Sequence, residues 1–70
     1  MADRDVERDC STQRFVETLR RVADALERGE SFRIQVGNAR FTVPADARLS
    51  IEHEASGGEN ELELQLKWKV

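Results

Sequence analysis

Apolar and charged or polar residues alternate without interruption from Glu61 to Val70. Leu62, Leu64, Leu66, Trp68 and Val70 fall on one face of an extended chain, and Glu61, Glu63, Gln65, Lys67 and Lys69 on the other. A period of two over this length predicts a half-buried antiparallel strand. The same period runs from Phe32 to Val36 and from Ala39 to Val43, on either side of Gly37-Asn38, a two-residue hairpin signal. That register sets Phe32 opposite Val43 and Ile34 opposite Phe41. Pro44-Ala45-Asp46 ends the second strand; Leu49, Ile51 and His53 then alternate with Ser50, Glu52 and Glu54 as a third, and Gly57-Gly58 turns the chain into the last.

Before Glu30 the period is 3.6. Phe15, Val16, Leu19, Val22, Ala23 and Leu26 trace one stripe of a helix over residues 11–28, with Ser11 as N-cap and Gly29 as C-terminal stop. Cys10 and Phe15 are spaced as a hydrophobic staple, and Glu17–Arg21 and Asp24–Arg28 as i,i+4 pairs on the wet side. Residues 1–10 are polar apart from Met1, Ala2, Val6 and Cys10, which suits a tail or a short edge strand around Val6.

These elements predict one α+β domain over residues 1–70: an amphipathic helix on one face of a four-stranded antiparallel meander spanning 31–70, with room for a short extra N-terminal strand. The inward sheet face has more than twice as many apolar residues as the helix stripe. Four strands about 4.8 Å apart are also wider than a helix about 10 Å across. Apolar sheet surface is therefore left over, and monomers rarely carry a large exposed patch. A second copy, another partner or the N-terminal segment is expected to cover it, with Phe41, Leu64, Leu66 and Trp68 as interface residues.

Composition narrows the field of functions. A chain of 70 residues has little room for a deep catalytic cavity, and its 14 acidic against 11 basic side chains disfavour non-specific attraction to nucleic acid or to an anionic membrane. Cys10 is the single cysteine, so neither an intrachain disulfide nor a cysteine-rich zinc site can form, which fits a reducing compartment. No apolar run approaches membrane-spanning length and the first residues lack a signal-peptide pattern, so the expected location is cytoplasmic.

Taken in order, the capped helix with its core from Leu19 to Glu30, the strand end Phe41-Thr42-Val43-Pro44, the strand Ile51-Glu52-His53-Glu54 and the finish from Glu61 to Trp68 resemble an amphi-Trp domain. This small prokaryotic family is named for its amphipathic strands and near-terminal tryptophan. The resemblance covers residues 4–69 and implies the fold. It also implies a strand-like segment before the helix, although here Arg4, Asp5, Glu7, Arg8 and Asp9 surround a single valine. The family has no assigned biochemical function, so the resemblance implies no site residues.

Candidate chemistry lies on the outward sheet face. The register places Glu52 opposite Glu63 and Glu54 opposite Glu61 near the Gly57-Gly58 tip, with Arg48, Lys67 and Lys69 at the other end. Opposed like charges destabilise a sheet unless something neutralises them, and a hard divalent cation such as Ca²⁺ takes oxygen ligands. The competing reading is a solvated face, with Arg40 of the second strand beside Glu52. His53 shares its face with Leu49 and Ile51, and a backbone hydrogen bond is expected for it. Its nearest acids point the other way, so general-base chemistry is not supported. Cys10 lacks a histidine neighbour to activate it. Phe32, Phe41 and Trp68 have inward parity, which argues against base stacking on an open sheet. Trp68 is expected as a core anchor.

The expected function is a non-enzymatic protein-interaction or self-association module, acting as a homodimer or other homo-oligomer or with an unidentified protein partner. No cofactor is called for. The rival is a small-ligand or divalent-cation binding protein using Glu52, Glu54, Glu61 and Glu63.

Overall fold

Ser11 opens the helix. Its backbone is extended (φ −69°, ψ 159°), and its side-chain oxygen accepts the N–H of Arg14 at 3.1 Å, satisfying one of the orphan donors of the first turn. Helix α1 spans Thr12–Arg28. It ends where Gly29 takes the left-handed conformation (φ 67°): the Gly29 N–H reaches the carbonyl of Leu26 (3.2 Å) and the Glu30 N–H that of Ala25 (2.9 Å), the bond pair of a Schellman motif. The computed structural model describes residues 9–70. The segment before Asp9, with the expected strand around Val6 and any cover it supplies, lies outside the described residues.

Four strands follow: β1 (Phe32–Val36), β2 (Ala39–Val43), β3 (Arg48–Ser56) and β4 (Glu59–Lys67). Both hairpin registers are those the alternation predicts, with Phe32 against Val43, Ile34 against Phe41, Glu52 against Glu63 and Glu54 against Glu61. Gly57 and Gly58 both have positive φ (59° and 83°), as a type I′ turn requires, and this turn sets the register of the longer hairpin. β4 stops at Lys67, so Trp68, Lys69 and Val70 continue beyond the strand instead of within it.

The α+β architecture is as expected, but the meander is not. The strands form two separate two-stranded sheets, β1–β2 and β3–β4. The break falls at Pro44, which has no N–H to give to a ladder, and the Ala47 N–H closes a turn on the Pro44 carbonyl at 3.2 Å. Val43 and Ala47, at 3% and 9% exposure, flank that turn and form the buried core with Ala25. The chain drives this corner inward, and each hairpin then twists on its own.

Two contacts tie the pieces together. Phe41 of β2 meets Trp68 with ring centroids 5.9 Å apart and planes tilted by 33°, bridging the hairpins. Arg21 of α1 donates to the Arg33 carbonyl of β1 at 2.7 Å. The expected Glu17–Arg21 pairing gives way to this bond, and Glu17 accepts from Gln13 at 3.2 Å. A guanidinium held on a backbone carbonyl outweighs an exposed ion pair between flexible side chains.

Candidate functional site

The β3–β4 ribbon carries every candidate outside Phe41, Trp68 and Cys10, and its two faces differ in kind. On the apolar face Leu49, Ile51, Leu62 and Leu64 remain 54%, 75%, 71% and 50% exposed. Leu66 is half-buried. The helix stripe approaches this face without closing on it. Between Leu19, Val22, Ala23 and Leu26 of α1 and Leu49, Ile51, Leu64 and Leu66 of the ribbon lies an open, apolar-walled groove of about 570 Å³. The expected interface residues therefore divide: Leu64 and Leu66 line this groove, whereas Phe41 and Trp68 are engaged with each other. Leu49, Ile51 and Leu62, counted by sequence only as inward sheet residues, are the most exposed of the set. Their parity was legible, but the lack of cover was not.

At the tip of the same face, His53 Nε2 lies 2.8 Å from Asn60 Oδ1. The backbone bond expected for this histidine is thus replaced by a side-chain one. His53 is opposite Leu62, so Asn60 is its diagonal neighbour across the ladder and within reach of its ring.

On the outer face the carboxylates gather as the register requires, with Gln65 at their centre. Its Oε1 accepts from Ser50 Oγ at 3.2 Å, and its Nε2 donates to Glu63 (2.6 Å) and to Glu52 (3.3 Å). Glu63 titrates below the ordinary carboxylate range, chiefly through its side-chain hydrogen bonding with Glu61, then through the Gln65 amide, with a smaller contribution from Lys67. Gln65 was missed in the sequence. Its signal was being the one neutral residue in the outward row, where the acidic end of β4 passes into the basic end.

Glu54, Glu61 and Glu63 bring one oxygen each within 4.8 Å of one another, whereas Glu52 turns toward Gln65. One converging oxygen from each of three carboxylates leaves at least half of the six to eight oxygens that Ca²⁺ takes to come from elsewhere. Arg40 does not answer Glu52: β2 pairs only with β1, and the Arg40 guanidinium donates to Gln35 Oε1 at 3.2 Å.

A second, larger cavity of about 910 Å³ lies between the start of α1 and the first hairpin, with Cys10 and Phe15 both on its wall. The two staple residues share this space but neither is buried, Phe15 being 54% exposed. Among the described residues no helix is long and apolar enough to cross a membrane.

The family model for the Amphi-Trp domain matches residues 3–70, essentially the whole chain. No curated protein and no solved structure matches it.

Proposed function

The chain belongs to the Amphi-Trp domain family, and from that premise we propose that it is a non-enzymatic self-association module whose contact surface is the β3–β4 hairpin. The observation that carries this reading is the uncovered apolar face, with Ile51 and Leu62 more than two-thirds exposed beside a groove walled by leucines. Burying such a surface is favourable in proportion to the apolar area removed from water, and a second copy brings an equal apolar face of its own. No triad of nucleophile, base and oxyanion donor accompanies the face among the described residues. His53 is held by Asn60, and Glu52 and Glu63 accept from Gln65.

Sedimentation equilibrium from low micromolar to millimolar concentration tests it. The expected result is a concentration-dependent dimer that Leu62→Thr shifts toward monomer. A wild-type chain that stays monomeric throughout overturns the reading. The second reading, a divalent cation held by Glu54, Glu61 and Glu63, has their convergence in its favour. It predicts that Ca²⁺ raises the melting temperature of wild type but not of Glu61→Gln, whereas self-association predicts no response to the ion.

A further inference from the structure

We infer that the dimer forms by edge-to-edge antiparallel pairing of β4 with β4 of a second copy, about a two-fold axis at Leu64; this rests on the self-association reading above. A two-residue I′ turn closes on a hydrogen-bonded pair, here Ser56–Glu59, and hydrogen-bonded and non-bonded pairs alternate from there. Glu61, Glu63, Gln65 and Lys67 therefore direct their backbone groups toward β3. Leu62, Leu64 and Leu66 direct theirs to the other edge, which no strand occupies among the described residues.

The corresponding edge of β1 is treated differently. Counting from the Val36–Ala39 closing pair, Arg33 is an outward position of β1, and its carbonyl is taken by Arg21 of the helix. An edge covered in this way is protected from pairing, and among the described residues β4 has no such cover. β3 is the poorer template. Its edge-directed row places His53, already bonded to Asn60, after Leu49 and Ile51, where β4 offers Leu62, Leu64 and Leu66 in succession.

Charge chooses the register. An axis at Glu63 sets that glutamate against its own copy, which disfavours pairing. An axis at Leu64 sets Glu61 opposite Lys67 of the second copy, twice by symmetry. It also lets Leu64 exchange both backbone bonds with its copy, and Leu62 with Leu66. An axis at Gln65 also opposes unlike charges but leaves a shorter stretch of β4 paired. The axis at Leu64 packs Leu64 against its own copy and Leu62 against Leu66 of the second copy on the apolar face, so the part of that face buried is the β4 leucine row at the seam, with Leu49 and Ile51 of β3 outside it.

The test is a charge swap in the full chain, followed by sedimentation. Lys67→Glu and Glu61→Lys are each expected to weaken dimerisation by about tenfold or more, because each turns two attractive contacts into repulsive ones. The double variant Glu61→Lys/Lys67→Glu is expected to recover wild-type association. An equimolar mixture of the two single variants should form heterodimers more tightly than either variant dimerises alone. In a Cys10→Ser background, Leu64→Cys should oxidise to a covalent dimer, because directly opposed bonded pairs lie about 5.5 Å apart at Cα, while Leu62→Cys should not. A dimer indifferent to both charge variants but weakened by Ile51→Thr overturns the edge geometry in favour of stacked faces and leaves self-association standing. A monomeric wild type overturns both.

Discussion

The two hairpins obey the same alternating pattern and fare differently. In β1 the apolar positions are half-buried and the polar ones exposed; β2 ends in Val43, the most buried residue; and the β1 edge is bound to the helix through Arg21. In β3 every residue is exposed, and along β4 only Glu63, Gln65 and Leu66 are partly shielded. The difference teaches that period-two patterning reports which face is apolar and says nothing about whether anything covers it. The first hairpin is shielded at its Val43 corner and tied to the helix at one point, and the second is left for another surface.

The sharpest way to break the comparison is to put the same charge in both places. Val43→Asp buries an unpaired carboxylate at the corner and is expected to cost about 4 kcal/mol, close to the whole stability of so small a domain. Ile51→Asp, compared at a concentration where the monomer prevails, is expected to cost under about 1 kcal/mol, because that side chain is already in water. Urea midpoints of the two variants decide it, and equal losses would mean that the second hairpin is as well packed as the first. Trp68→Ala probes the bridge instead of either hairpin. Losing the Phe41 contact and the half-buried ring is expected to cost about 2 kcal/mol, with a lower urea slope if the hairpins then unfold separately.

The smallest effect belongs to the outer face. Glu63 is held below the usual value of 4.5, so its contribution to folding is present above that pH and is lost as pH falls through its folded midpoint. Gln65→Ala removes the 2.6 Å donor. It should move the Glu63 midpoint, followed by carboxyl-carbon NMR, back up toward 4.5 and flatten the acid-side fall in stability. An unchanged midpoint would assign the shift to Glu61 and Lys67.

Much of the local structure could be read in advance because its causes are local. Ser11 caps, Gly29 stops, and Gly57-Gly58 turns for reasons contained within a few residues of each. The candidate site was only partly legible. Opposed glutamates follow from register, but Gln65 as their shared donor, Asn60 as the partner of His53 and Arg33 as the target of Arg21 depend on rotamers and on distances between elements, for which a linear pattern has no signal.

Element type, order, hairpin register and the sidedness of each strand were properties of the chain alone, because backbone geometry and turn chemistry impose periods of 3.6 and two on any residues that follow them. Tertiary structure decided that the sheet divides at Pro44, that the helix braces β1, and that the leucine face of β3–β4 stays open. Those outcomes turn on competition among distant groups for a core too small to include them all. Such competition is settled only when every element is in place at once.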